Sequence, residues 1–598
     1  FCLILKFIIM GLFKMPAPKP RLARNGFDLS SRRIFSAKAG QLLPIGCWEV
    51  NPSEHFKFSV QDLVRTTTLN TASYARMKEY YHFFFVSYRS LWQWFDQFIV
   101  GTNNPHSALN GVKKNGTTNY NQICSSVPTF DLGKLITRLK TSDMDSQGFN
   151  YSEGAAKLLN MLNYGVTNKG KFMNLENLIT STAYLPSKDD KEPSSIFACK
   201  VSPFRLLAYQ KIFNDFYRNQ DWTPSDVRSF NVDDYADDSN LTIEPDVALK
   251  FCQMRYRPYA KDWLTSMKPT PNYSDGIFNL PEYVRGNGNV ILTNNKSGSV
   301  SLDSGTVSSS SFSVNDLRAA FALDKMLEAT RRANGLDYAS QIEAHFGFKV
   351  PESRANDARF LGGFDNSIVV SEVVSTNGNA ASDGSHASIG DLGGKGIGSM
   401  SSGTIEFDST EHGIIMCIYS VAPQSEYNAS YLDPFNRKLT REQFYQPEFA
   451  DLGYQALIGS DLICSTLGMN EKQAGFSDIE LNNNLLGYQV RYNEYKTARD
   501  LVFGDFESGK SLSYWCTPRF DFGYGDTEKK IAPENKGGAD YRKKGNRSHW
   551  SSRNFYINPN LVNPIFLTSA VQADHFIVNS FLDVKAVRPM SVTGLSSL

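Results

Sequence analysis

Apolar and polar residues alternate in short runs near both ends of the chain, and a period of two predicts strands. Phe56–Val60 alternates cleanly, Gln41–Ile45 precedes it, and Tyr80–Tyr88 is a run of aromatic residues with few polar breaks. Strands are also predicted over Ser367–Ser375, Gly413–Val421, Leu485–Lys496 and Asp574–Val587. Helical spacing occupies the middle. Leu91–Ile99 places aromatics on successive turns, and Ser152–Leu162 offers an N-cap with Leu158 and Leu162 four apart. Ser202 and Pro203 open a helix as N-cap and first helical residue, with Leu206, Tyr209 and Phe213 on one side. The strongest helix runs from Ser313 to Asn334. Ser313 and Asp316 form a capping-box-like pair, Ala320, Leu323 and Leu327 form the stripe, and Gly335 is the stop. A shorter helix, Asp337 to Phe346, ends at Gly347.

Two stretches are loop by composition. Residues 268–312 are dense in Asn, Gly, Ser and Pro, and residues 375–403 in Gly and Ser. One or the other is expected to reach the outer surface and be mobile. With strands at both ends and no internal repeat, residues 41–598 are predicted to be one mainly β, antiparallel sandwich. Its large insertions fall at about 103–200, 220–312 and 375–403. Strands and helices do not alternate regularly, which disfavours a parallel α/β sheet. Residues 1–40 are read as upstream residues followed by a basic arm running over a surface. The apolar run at residues 1–13 is broken by Lys6 and too short to span a bilayer, and translation is expected to start at Met10 or Met15. No membrane span is expected elsewhere.

Charge changes the picture only locally, because the net charge is +1 over 598 residues. Residues 14–38 hold seven cations against Asp28 alone: Lys14, Lys19, Arg21, Arg24, Arg32, Arg33 and Lys38. Residues 529–547 hold seven cations, among them Lys529, Lys530, Arg542, Lys543, Lys544 and Arg547, against two carboxylates. Tyr541 and Trp550 lie beside the second segment, so phosphate contact with base stacking is one reading and a solubilising surface the other. Residues 231–246 carry six carboxylates and no Lys or Arg, and read as a solvated acidic loop.

Motifs for chemistry fail on spacing. The eight cysteines are scattered without a CxxC pair, as befits free thiols and not a zinc site. The stretch from Asp143 starts like a calcium loop but has Gly154 where the bidentate Glu belongs. Gly390–Gly398 matches neither phosphate-loop pattern and is read as a flexible loop. His82 lies in an apolar strand and is expected to be a satisfied core residue. No catalytic residue, metal ligand or cofactor is expected.

Several pieces of this chain, in this order, resemble the major capsid proteins of the Microviridae, in their gokushovirus-like branch. They include Arg24–Ser30, Asn70–Lys78 ahead of the aromatic strand, and Leu317–Phe321 with Leu336–Tyr338 and His345–Gly347. Others are Gly362 and Gly363 before Glu372–Val374, Pro447–Gly453, Gly487–Gln489 with Glu494 and Tyr495, and the closing Arg588–Met590. The resemblance implies an eight-stranded jelly roll and a T=1 icosahedral shell around a circular single-stranded DNA genome. It implies no enzymatic activity. Expected partners are further copies of the chain, the packaged DNA, internal scaffolding and DNA pilot proteins, and a host receptor met by an outer insertion. Assembly would take place in the host bacterial cytoplasm. DNA-facing residues would then be Lys19, Arg21, Arg24, Arg32 and Arg33 of the arm, and Lys529, Lys530, Arg542, Lys543, Lys544 and Arg547 of the loop. A secreted β-sandwich adhesin or carbohydrate-binding protein is the competing class.

Overall fold

The computed structural model describes residues 24–71, 73–100, 126–138, 151–166, 200–235, 241–269, 292–294, 300–302, 322, 325–327, 329–330, 338–349, 356–374, 392–450, 453–462, 485–507, 510–519, 555–559, 562–566 and 574–592. Ten strands form one curled sheet. They are β1 (Asn25–Asp28), β2 (Ser31–Ala37), β3 (Leu43–Val50), β4 (His55–Thr66), β5 (Met77–Ser87), β6 (Arg359–Val374), β7 (Leu392–Ser401), β8 (Ile405–Asp408), β9 (Gly413–Pro423) and β10 (Phe576–Arg588). Neighbours run β1-β10-β4-β7-β6-β5-β9-β3, with β2 also on β10 and β8 also on β4. Every pairing is antiparallel.

The long strand β6 turns this ribbon into a sandwich. Arg359–Ile368 pairs with β5, and Val369–Val374 pairs with β7. The chain thereby passes from a sheet of order β2-β10-β4-β7 to one of order β6-β5-β9-β3. The two sheets face each other across aromatic contacts. Phe58 of β4 lies 5.4 Å from Trp48 of β3 and 5.0 Å from Phe83 of β5, and Phe35 of β2 meets Tyr419 of β9 edge-on at 5.0 Å. This eight-strand order is a jelly roll.

Alternation explains which side each strand buries. In β4, Phe56, Phe58, Val60 and Val64 face inward, and in β10 Phe576, Val578, Leu582, Val584 and Ala586 do. The outward residues of these strands are exposed or half-buried. Strand β9 differs, with nearly every residue buried, because a helix of the β5–β6 insertion, Phe204–Ile212, packs on its outer face. Among the described residues that insertion also holds the other α-helices: α1 (Tyr88–Leu91), α2 (Phe95–Val100), α3 (Leu132–Arg138), α4 (Tyr151–Met161), α5 (Phe204–Ile212), α6 (Pro245–Phe251) and α7 (Tyr338–Phe346). One sheet is therefore covered and the other is open.

Five details differ from the sequence reading. Residues 392–401, within the stretch read as a mobile loop, are the central strand β7. Its glycines answer close approach: a Cβ on Gly394 would stand 2.2 Å from the Thr71 carbonyl oxygen, and one on Gly396 2.6 Å from Thr66 Cγ2. Residues 25–37 of the arm are strands on β10, not a free surface run. The single helix expected over Leu91–Ile99 is split into α1 and α2, because Asp233 Oδ1 accepts the Gln93 amide (2.9 Å) at the break. Strand Leu485–Val490 stops short of Lys496, since Tyr492 is left-handed (φ 59°) and opens a 3₁₀ turn.

Helix α5 starts one residue later than expected, with Pro203 at its N-cap. Helix α7 ends at Gly347, whose φ is +66°, as the sequence indicated. Of the helix expected over 313–334, only 322, 325–327 and 329–330 are described, all helical. Residues 375–391 and most of 268–312 lie outside the described residues.

Candidate nucleic-acid interface

Directly opposed residues on antiparallel neighbours share a face, so the register maps the open side of the β2-β10-β4-β7 sheet. One row runs Ser36, Ile577, Arg65, Ile397 and, on β6, Val369. The next runs Ile34, Asn579, Leu63 and Ser399. The third runs Arg32, Phe581, Gln61 and Ser401. Lys395 stands two residues along β7 from Ile397, opposite Ser371. These rows contain Arg32, Arg65 and Lys395, all exposed, and no carboxylate. All their apolar members but the half-buried Leu63 are also uncovered: Val369 is 66% exposed, Ile34 65%, Ile577 50%, Ile397 42% and Phe581 41%.

The other end of the same face is built differently. Lys585 bonds Asp28 (2.8 Å) and Asp583 (3.3 Å), Lys57 pairs with Glu406 (3.4 Å), and His55 meets Asp408 (2.9 Å). The Lys585 hydrogen bond, with help from Ser30, holds the Asp28 carboxyl well below the usual carboxylate range. Cations there are neutralised in place. At the first end, Arg32 Nε donates to Asn579 Oδ1 (2.7 Å), and the side chains of Arg65 and Lys395 have no partner among the described residues.

Of the residues proposed from sequence, Arg24 is exposed and donates to Ser53 Oγ. Arg32 reaches the open face. Arg33, its neighbour in a strand, necessarily points the other way, and its Nε is buried in the sandwich without a hydrogen-bond partner among the described residues. Lys19, Arg21, Lys529, Lys530, Arg542, Lys543, Lys544 and Arg547 lie outside the described residues. The sequence reading missed Arg65, Lys395, Ile577 and Phe581. A signal existed in β10, where Ile577 and Phe581 occupy positions that a strand solvated on one face gives to polar residues.

A buried acid pair links the two sheets. Tyr81 donates to Asp62 Oδ2 (2.9 Å) and shares a hydrogen bond with Ser580 (2.5 Å), while Asn366 and Tyr419 donate to the Glu79 carboxyl at 2.9 and 3.2 Å. Burial, then the neighbouring Asp62 charge, pushes Glu79 up to about 8, and burial raises Asp62 as well. Two carboxyls this close keep a proton between them near neutrality. Raised carboxyls also mark catalytic sites, but Glu79 is 0% exposed and enclosed by both sheets, so the pair acts on stability.

The other chemical candidates resolve locally. His82 bonds the Tyr217 hydroxyl through Nδ1 (2.7 Å), and burial lowers it to about 4. Asp234 pairs with Arg228 (3.2 Å), while Asp237, Asp238 and the residues from Asp143 to Asn150 lie outside the described residues. Cys47, Cys252, Cys417 and Cys516 are free thiols. Among the described residues no cluster of three His, Cys, Asp or Glu could hold a metal, and no helix is long and apolar enough to cross a membrane.

The β9–β10 insertion carries an exposed aromatic patch. Tyr495 meets Phe435 edge-on at 5.0 Å and lies 6.0 Å from Tyr445, with Lys438 over its ring at 4.1 Å. Leu439 beside them is 86% exposed and Phe444 50%. Contiguous exposed apolar surface of this kind marks interaction sites.

The chain is similar in sequence to known proteins. A family profile described as "Capsid protein (F protein)" matches residues 17–139 and 189–521. Capsid protein VP1 of Chlamydia phage 1 is 28% identical over 210 residues, covering 35% of this chain and 33% of that protein. Capsid protein VP1 of Bdellovibrio phage phiMH2K is 22% identical over 506 residues, covering 83% of this chain and 85% of that protein.

Proposed function

The chain belongs to the phage capsid F-protein family, as a major capsid protein of the Microviridae, and from that premise we propose that copies of it assemble into a T=1 icosahedral shell enclosing a circular single-stranded DNA genome. The open sheet faces the genome. The N-terminal arm, with Lys19, Arg21, Arg24 and Arg32, and the basic loop from Lys529 to Arg547 contact phosphates there, a non-specific, salt-sensitive interaction. The β5–β6 and β9–β10 insertions supply subunit contacts and the outer surface, part of which meets a host receptor. Scaffolding and DNA pilot proteins are partners during assembly in the host cytoplasm.

The observation that carries this reading is the asymmetry of the sandwich. Insertions cover one sheet, while the other is left open with unneutralised cations and exposed apolar side chains. A lone soluble protein has no use for such a face; a shell subunit with a polyanion on one side does. The test is negative-stain electron microscopy of the full chain, expressed alone and with the other phage proteins, followed by nuclease treatment. Uniform closed shells holding nuclease-protected single-stranded DNA are expected. Monomers or open aggregates under every co-expression condition would refute the reading.

A further inference from the structure

We infer that the open face is a stacking platform for single-stranded nucleic acid, on which Phe581 takes a base while Arg32 and Arg65 take phosphates. The inference rests on the proposed function for the inward direction of this face, and deepens it. Contact would be made through bases on a rigid sheet as well as through phosphates on a basic arm.

The argument is one of paired needs. Arg32 stands directly opposite Phe581 on the neighbouring strand, about 5 Å away. Arg65 lies on the next strand, four residues from Gln61, which opposes Phe581 from that side, so it is roughly 13 Å along the sheet. Ile577 and Ile34 fill the surface between them, and Ile397 stands beyond Arg65 on β7. An apolar protein surface docked here would bury three cations without counter-charges, a heavy cost. A partner bearing only carboxylates would neutralise the cations and leave Phe581 and the isoleucines wet. Single-stranded nucleic acid meets both needs at once, with flat apolar bases on a charged backbone. Duplex DNA does not, because its bases are stacked inside and present no free face. The carboxylates described around these rows are already bonded: Asp28 and Asp583 to Lys585, Glu406 to Lys57, Asp408 to His55, and Asp574, which accepts from Ser36 beside the first row, to Lys157. A strand of DNA would therefore lie over the rows between Arg65 and Phe581, which carry no carboxylate of their own.

The test uses disassembled full-length protein and two fluorescent probes, an oligothymidylate of about twenty nucleotides and an abasic strand with the same number of phosphates. Parent protein should bind the oligothymidylate more tightly. Phe581→Ala and Phe581→Leu should lower that affinity roughly 5- to 140-fold, the range for one stacked base, and leave abasic binding unchanged. The leucine variant keeps an apolar side chain on the strand, so its loss reports the ring and not the fold, and circular dichroism checks both. Arg32→Ser and Arg65→Ser should weaken both probes, each reducing the salt slope by about 0.7. Equal binding of the two probes by the parent, or folded Phe581 variants that match it, would overturn the platform. Shell formation by these variants is scored separately by microscopy. Shells with normal DNA and unchanged oligonucleotide affinity refute the platform alone, while absence of shells from the parent refutes the proposed function.

Discussion

Replacing Glu79 by Gln should flatten the pH dependence of stability between about pH 4.5 and 8. In the folded protein burial and Asp62 push the Glu79 carboxyl from 4.5 up to about 8. Over that window the native state holds a proton that the unfolded chain has released. Unfolding therefore releases a proton and is favoured as pH rises. The stabilisation is fully present below about pH 4.5 and is lost progressively until pH passes the folded value. The slope for one proton is about 1.4 kcal/mol per pH unit, so the whole window is worth on the order of 5 kcal/mol. Glutamine keeps the shape, can accept from Asn366, and can offer its amide to Asp62 without carrying charge. The assay is urea unfolding of disassembled full-length protein at half-unit steps, comparing parent and variant so that other titrating groups cancel. The variant should gain on the parent by about 1.4 kcal/mol per unit through neutrality. A difference that stays flat from pH 5 to 8 would show that the pair holds no shared proton and that the reasoning from burial and proximity is wrong.

Gly394→Ala should cost roughly 1–3 kcal/mol or prevent folding, because the new methyl meets the Thr71 carbonyl, which is backbone and cannot swing away; denaturant midpoints measure it. Removing residues 574–598 deletes β10 from between β2 and β4 together with Phe576, Val578, Leu582 and Val584, each worth about 1.5–3 kcal/mol, and the smaller Ala586, and should give insoluble protein; a soluble, monodisperse truncation would count against the sheet order. Leu439→Asp should leave subunit stability within about 0.5 kcal/mol, given its exposure, yet stop shells from closing; normal particles by microscopy would remove the aromatic patch from the subunit contacts.

The parts of this fold that were legible in the sequence are those where one physical signal acted alone. Strand β4 alternates because one face is core and the other solvent, and its pattern can be read residue by residue. The run from Gly413 to Val421 is apolar but for Ser420 because both faces of β9 are covered. Strand β7 was illegible for the opposite reason. Its glycines serve close packing against Thr66 and Thr71, yet the composition is the same as that of a flexible linker, and nothing in the linear sequence separates the two. The jelly roll itself came from resemblance, since no local pattern specifies which of the strands cross from one sheet to the other along β6.

The candidate interface shows a second limit, which lies in geometry more than in composition. Sequence reasoning finds cations that are neighbours in the chain, and so it selected the arm and the loop from Lys529 to Arg547. Adjacent residues in a strand point to opposite faces, and that alone divides Arg32 from Arg33. The residues that do share a surface with Arg32 come from elsewhere: Arg65 from β4, Lys395 from β7 and Phe581 from β10. They meet only because β10 is inserted between the first strand pair and β4, a pairing of the two chain ends. A charge cluster made in this way is fixed by sheet order, so it persists only in the folded subunit. The arm would keep its charge even in an unfolded chain. Nucleic-acid binding through the sheet should accordingly be lost at the same denaturant concentration as the fold, while any binding by the arm survives it. Anisotropy of the oligothymidylate followed through a urea titration separates the two, and a single transition to zero binding would assign the contact to the sheet.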